Sequence, residues 1–343
     1  MKLKITLMIA LGIVASTSAF AKPPVLTYHK LKSIQVGGDG FWDYLTVDSP
    51  AKRLYLSHSN HVVVVDLEKG VVCGDIPNTP GVHGVAIVPK LHRGFTSNGG
   101  DSTVTIFDTV TLKLIEKVKV GSNPDAIVFD PKSNRVFTFN AGTSDTTAID
   151  AATGKVAGTI PLGGKPEFAA SDEKGGMYVN IEDKNEIIAF DTKALTVKAH
   201  WPIAPGDGAS GLAIDLKRHK LFAVCGNEKM VVMDYLTGKV VATPDIGKGP
   251  DAAAYDPGTG LAFSSNGQSG TLSMIAMDAE GGYKTVANVA TEPGARTMAL
   301  DPKTHIIYLA AARFKPSAPA EAGAPRRRPT IEPNSFYVVV MGK

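Results

Sequence analysis

The sequence predicts an all-β chain: a seven-bladed β-propeller of four-stranded antiparallel blades, its ring closed by the N-terminal strand pairing with the last blade. Three observations predict it. One short pattern recurs seven times at near-constant spacing, each copy is written in strand residues, and the two ends of the chain supply what the other lacks.

Taken in chain order, residues 1–21 come first. Lys2 and Lys4 precede the apolar run ITLMIALGIVA (5–15), and AFA (19–21) offers a small-x-small cleavage site, the pattern of a secretory signal peptide. The run is shorter than the roughly 20 apolar residues a spanning helix needs. The expectation is an exported, periplasmic chain starting near Lys22, with no membrane span in the mature form and residues 22–343 forming a single propeller.

The next segment, VLTYHKLKSIQV (25–36), reads as a strand without a blade of its own. The repeats follow. Taking the turn after each first apolar run as the anchor gives Asp48, Val88, Asp130, Asp172, Asp215, Asp256 and Asp301, separated by 40, 42, 42, 43, 41 and 45 residues. A period in this range, carried by units too small to bury a core alone, belongs to propellers or solenoids. Within a copy, runs such as DAIVFD (125–130), RVFTFN (135–140), TVTIFD (103–108) and KVKVG (117–121) are β-branched or aromatic-rich and bounded by Gly, Pro, Asp and Asn. That is strand chemistry. The Asp opening each turn is expected to accept hydrogen bonds from amides just ahead of it.

The first run of each copy alternates large residues (Ile127 and Phe129, Leu212 and Ile214, Met298 and Leu300) with small ones (Gly84 and Ala86, Gly211 and Ala213, Ala252 and Ala254). Both faces of such a strand are buried, and a large face can nest on a small one in the next blade. The last copy provides HIIYLAAARF (305–314) and FYVVVM (336–341) but lacks a fourth strand. Pairing it with residues 25–36 would remove both exposed edges. Between those two runs lies KPSAPAEAGAPRRRPTIEPN (315–334), a Pro/Ala-rich insertion expected to be a flexible loop above the channel mouth.

The elements FTFN (137–140), MYVN (177–180), FTSN (95–98) and FSSN (263–266), with VGSNPDAIVFDP, GVHGVAIVP and GARTMALDP, resemble YVTN-type repeats and the YncE-like family of exported bacterial propellers. The resemblance spans essentially the whole mature chain. It implies a seven-bladed propeller and leaves the chemistry open, because such scaffolds carry lactone hydrolases, lyases and pure binding modules alike.

Composition excludes some classes. With 36 basic and 33 acidic residues, net +3, the chain lacks the basic stripe of a dedicated nucleic-acid binder. Cys73 and Cys225 fall in different repeats, which disfavours a disulfide, and no C-x-x-C or C-x-x-C-H occurs. No G-x-S-x-G, H-E-x-x-H or phosphate-binding glycine loop is present.

Five residues before each anchor stand Asp43, His83, Asp125, Glu167, Ser210, Asp251 and Arg296. Six are ionisable while the positions after them are mainly apolar, and a constant frame carrying unlike charges points to a shaped site at one mouth of the channel. A second ring at the same mouth is expected from the ends of the neighbouring strands: His58, Asn98, Asn140, Asn180, Cys225 and Asn266, with Ala311 breaking the pattern.

The site is expected to bind a small molecule or a protein partner. Asp43, His83, Asp125 and Glu167, oxygen ligands with one imidazole, would suit Ca²⁺, Mn²⁺ or Zn²⁺. A metal there could support hydrolysis of a lactone or ester. Arg296 could hold a carboxylate or phosphate, or neutralise Asp251 and Asp43. Arg326, Arg327 and Arg328 of the insertion keep open a third reading, a scaffold or nucleic-acid-binding propeller.

Overall fold

The computed structural model describes residues 27–315 and 330–343. The expected signal peptide and the three arginines of the insertion lie outside them. The described residues form seven separate four-stranded antiparallel sheets. Six are consecutive in sequence. The seventh is assembled from both ends: Met298–Asp301, Ile306–Ala311 and Tyr337–Gly342, with His29–Gln35 as its outer strand. His29 pairs with Gly342 and Gln35 with Tyr337, so the ring closes as its ends require. The Tyr28 hydroxyl adds a 2.9 Å hydrogen bond to the His305 carbonyl. Among the described residues the only helical segments are two short 3₁₀ turns, and no helix is long and apolar enough to cross a membrane.

The core lies between blades, not within them. Phe137, Phe139 and Ala148 of blade 3 pack on Val179, Ile181, Ile188 and Phe190 of blade 4, and Leu54, Leu56, Val63 and Val65 of blade 1 pack on Tyr308, Ala310, Val338 and Val340 of blade 7. Each fully buried aliphatic or aromatic side chain contributes about 1.5–3 kcal/mol by leaving water. The alternation of large and small residues is used as expected. A Cβ added to Gly84 would stand 3.1 Å from Ile127 Cγ2 of the next blade. At Gly211 it would stand 2.5 Å from the Ala253 amide nitrogen, so no larger residue fits there without moving a strand.

The anchor aspartates cap their turns. Asp48 accepts from the Ala51 amide, Asp172 from Lys174 and Gly176, Asp215 from Lys217 and Arg218, and Asp301 from Lys303. Several also reach the next blade. Asp130, fully buried, accepts from the Ser133 amide and hydroxyl and from Ser171 (2.6 Å) and Thr192 (2.8 Å) of blade 4. Burial opposes its charge, but these donors outweigh burial and hold its carboxyl below the usual range. Ser49 likewise bonds Asp301 across the closing seam (2.6 Å). A second device sits at the start of the second strand. Arg53, Arg93 and Arg135 each donate to turn carbonyls of the following blade, at Thr109, at Ala151 and Ala152, and at Thr192 and Lys193.

Asp130→Ala strands the donors of two blades in a buried place and is expected to cost about 3 kcal/mol. Asp191→Ala, which removes a solvent-facing turn cap and a long surface ion pair with Lys198, is expected to cost about 1 kcal/mol. Urea denaturation of the two variants checks the difference.

Candidate binding site at the channel mouth

The residues five before each anchor share one local cause. In blades 1 to 6 the pairing of the innermost strand slips just after its first residue, between Trp42 and Leu45, Val82 and Val85, Pro124 and Ile127, Pro166 and Ala169, Ala209 and Leu212, and Pro250 and Ala252. Asp43, His83, Asp125, Glu167, Ser210 and Asp251 sit in those irregularities. A bulge leaves its extra residue out of the ladder and re-aims its side chain, here toward the axis. In blades 1 and 2 an amide freed by the bulge is met by a serine of the second strand: Ser57 accepts from Asp43 N and Ser97 from Gly84 N, both at 2.9 Å. Ser97 and Ser265 pass the link onward by donating to the Asp125 and Arg296 carbonyls of the next blades.

Five of the seven ring positions are joined in a chain of charges. His83 Nδ1 lies 2.7 Å from Asp43 Oδ2 and 3.6 Å from Asp125 Oδ1. Arg296 pairs with Asp251 and stands 3.3 Å from Asp43 Oδ1, so it neutralises both acids, one of the two roles open to it. Its second Nη also donates to the Trp42 carbonyl (3.2 Å). Glu167 pairs with Lys165 at 2.8 Å, and Lys165 reaches Glu182 as well. Ser210 remains a neutral gap. Ligand atoms of Asp43, His83 and Asp125 all lie within 4.8 Å of one another, a spacing that one ion could bridge.

The floor was not foreseen. Tyr44 of blade 1 meets Phe168 of blade 4 edge-on, ring centroids 5.0 Å apart. Blades three apart in a ring of seven can touch only across the axis, so this pair plugs the channel beneath the charges. The mouth is therefore a cup, with the Tyr44 phenol beside Asp125 and acting to lower the pKa of its carboxyl. A signal existed: four residues before the anchors the copies read Tyr44, Gly84, Ala126, Phe168, Gly211, Ala252 and Thr297, and the two aromatics are the ones that meet. Lys165 also went unnoticed. Its equivalents Gly81, Asn123, Gly208 and Gly249 have left-handed backbone, so a lysine there is the departure.

Burial and mutual repulsion set the protonation of the cup. Desolvation, then the neighbouring Asp125 charge, push Glu167 up to about 7 against the pull of Lys165. Asp125 is raised by burial and by Asp43, although His83 and Lys165 oppose this. For His83, burial disfavours the charged ring, yet the hydrogen bond to Asp43 and the charges of Asp125 and Glu167 outweigh it and raise its pKa.

The second expected ring is not at the mouth. The carboxamides of Asn98, Asn140 and Asn266 are fully buried and turned outward along the blade. Asn98 donates to Thr103 and Thr105, Asn140 to Asp145 and Thr147, and Asn266 to Thr271 and Ser273. Asn180 donates instead to the Ser210 carbonyl (2.8 Å) of blade 5 and steadies that strand. Cys225 is fully buried, its thiol pushed up to about 12 by burial. His58 faces the seam between blades 7 and 1. The carboxamides of Asn98, Asn140 and Asn266 are drawn outward because the third strand of their own blade offers hydroxyl and carboxylate partners there.

No family model matches the chain, and no curated protein matches it. Solved structures do. A chain of a mitotic checkpoint complex is 15% identical with a TM-score of 0.72, covering 89% of this chain and 95% of that one. The hydrazine synthase of Kuenenia stuttgartiensis is 16% identical with a TM-score of 0.68, covering 87% and 96%. U3-55K is 8% identical with a TM-score of 0.73, covering 90% and 98%. At such identities the likeness is one of fold. It defines the class, a seven-bladed propeller, and no particular family within it.

Glu167 binds a proton in the folded chain at pH values where the unfolded chain has released it. Its contribution therefore makes stability fall as pH rises from about 4.5 to about 7. Glu167→Gln is expected to melt a few degrees above wild type at pH 8 and to show no such gain at pH 5, as read by differential scanning calorimetry.

Proposed function

We propose that this protein is a binding propeller whose cup takes a small polar ligand presenting positive charge, with a divalent cation as the simplest case. One observation carries the reading. Asp43 Oδ1 and Asp125 Oδ1 are buried at the cup and make no hydrogen bond, the nearest cationic groups standing off at 3.3 Å (Arg296) and 3.6 Å (His83). Buried carboxylate oxygens without donors are costly, and a bound cation would meet both. Oxygen donors with one imidazole favour Mn²⁺ or Zn²⁺. Coordination by His83 would require its ring to give up a proton, so uptake would strengthen with rising pH.

A second reading rests on Glu167. A carboxyl titrating near neutrality beside such a cluster could take a proton from water bound to an ion at Asp43, His83 and Asp125. That would make the cup a hydrolase of lactone or ester type. Membership of the YncE-like YVTN propellers and a periplasmic location belong to the same proposal, supported by the repeat elements and by the N-terminal export pattern. One structural neighbour is, by name, a chain of a mitotic checkpoint complex, which keeps a macromolecular partner at this face as an outcome to test.

Mn²⁺ titrated calorimetrically into the full chain at pH 8 is expected to bind once. Asp125→Ala is expected to weaken it at least about 100-fold with the circular dichroism spectrum retained. Unchanged affinity in that variant would refute a cation site in the cup.

A further inference from the structure

The face opposite the cup is built from turns. The innermost strand of each blade starts at the mouth, so its turn into the second strand lies at the far end of the axis. In an antiparallel blade the turn from the third strand into the outermost one lies at that same end. Backbone hydrogen bonds tie these inner and outer turns together within a blade. The Thr109 amide donates to the His92 carbonyl (2.9 Å), Ala151 to Asn134 (3.0 Å), Thr192 to Gly175 (2.9 Å) and Tyr235 to His219 (3.1 Å). Between blades, Arg93 donates to the Ala151 and Ala152 carbonyls and Arg135 to those of Thr192 and Lys193. From blade 2 to blade 4 the turn tips are therefore fixed to one another as a platform.

That platform carries an arc of lysines. The inner turns of blades 2 to 5 place Lys90, Lys132, Lys174 and Lys217 on the axial side, and the outer turns of blades 2 to 4 add Lys113, Lys155 and Lys193. All are exposed, and none forms an ion pair among the described residues, unlike Lys52 with Glu68 in blade 1 and Arg218 with Asp215 in blade 5. The aspartates of these turns are held by their own backbone. Asp108, Asp150, Asp172, Asp191 and Asp234 each accept from two turn amides, and Asp130 and Asp215 are buried. Their charge persists, so the pull on an anion comes from the longer lysine side chains reaching beyond them and acts at short range. Apart from these capping aspartates, Glu173 is the one acid in the turns of blades 2 to 5. Blade 6 ends the arc: its inner turn PGTG (257–260) has no lysine, and its outer turn holds Asp278 and Glu280.

The same face holds the two most exposed large apolar side chains among the described residues, Leu236 (66%) and Val110 (61%). Each stands two residues after the aspartate that caps an outer turn, with its amide 3.0 Å from that carboxylate. The cap fixes the backbone, so the apolar side chain is held at the tip. Val110 belongs to blade 2 and Leu236 to blade 5, the two ends of the lysine arc. Water gives such residues nothing to pack on, and exposed apolar groups rimmed by charge mark surfaces that meet a partner or a membrane.

We propose that the face opposite the cup docks on an anionic lipid surface, its lysines meeting headgroup phosphates while Val110 and Leu236 enter the layer beneath. Electrostatic attraction and apolar burial add at such an interface, where either alone holds a protein weakly. Charge alone would suit a nucleic acid as well, but a phosphodiester backbone offers no place for the two apolar tips. Docked this way, the cup faces away from the lipid and stays open to its ligand. The inference is independent of what the cup binds.

Co-sedimentation with lipid vesicles tests this. The protein used is the chain from Lys22 onward, which contains every strand of the closed ring and lacks the apolar run 5–15, a segment that would seek lipid by itself. Binding is expected to vesicles of equal parts phosphatidylglycerol and phosphatidylcholine, at least about 10-fold weaker to phosphatidylcholine alone, and lost between about 0.1 M and about 1 M salt. Lys132→Glu with Lys174→Glu is expected to weaken it at least about 20-fold, and Val110→Ser with Leu236→Ser at least about 10-fold. Lys248→Glu, the same charge change at an exposed lysine on the cup side, is expected to leave it unchanged. All these positions are exposed, and near-ultraviolet circular dichroism checks that each variant is folded. Absence of vesicle binding, an equal loss in Lys248→Glu, or binding that survives either double variant would overturn the proposal. So would retention of duplex DNA, with the same lysine dependence, by a protein that ignores vesicles.

Discussion

Closure of the ring is the constraint on which everything else depends. Each blade buries its faces only against its neighbours, so an open array would leave one apolar face at each end and two strands with unpaired edges. Pairing His29–Gln35 with Tyr337–Gly342 removes both defects at once. The same closure sets the distal ends of the chain side by side at the mouth. Asp43 of the first blade and Arg296 of the last come within 3.3 Å because the circle is complete.

Between blades, the frame is held by two kinds of contact with different jobs. Apolar side chains supply most of the energy and are tolerant of position. Buried polar links are directional, and they fix how one wedge sits on the next. Asp130 receiving hydroxyls from blade 4 and Arg93 donating to carbonyls of blade 3 are examples. The bulge at the start of the innermost strand uses this rigidity. It takes one residue out of the sheet in each of blades 1 to 6, and in blades 1 and 2 a serine of the next strand accepts from an amide it frees. The ring residues are thereby relieved of structural duty, which is why they can differ so widely over a constant frame.

The cup offsets its own charge. At the mouth, four carboxylates crowd over an aromatic plug. Their repulsion is offset by His83, Arg296 and Lys165, and by proton uptake at Glu167, so the charge of the cup is responsive near neutral pH.

By itself the sequence determined the fold, because its evidence is periodic. Seven anchors at 40 to 45 residues, strand-like runs between them, and an unpartnered strand at each end leave few arrangements that bury every face. The convergence of Asp43, His83, Asp125, Glu167, Asp251 and Arg296 was legible for the same reason, since equal offsets in equal units must meet on one rim. What tertiary structure alone decided is where a side chain turns once it arrives. Asn98, Asn140 and Asn266 share an offset too, yet they point outward, because threonine, serine and aspartate groups on the adjacent strand offer partners that the axis does not. Tyr44 and Phe168 fill the channel through a contact between blades that no repeat-to-repeat comparison connects. Offset fixes a residue's place in a repeat, whereas direction depends on which neighbours compete for its polar atoms, and those neighbours come from other copies.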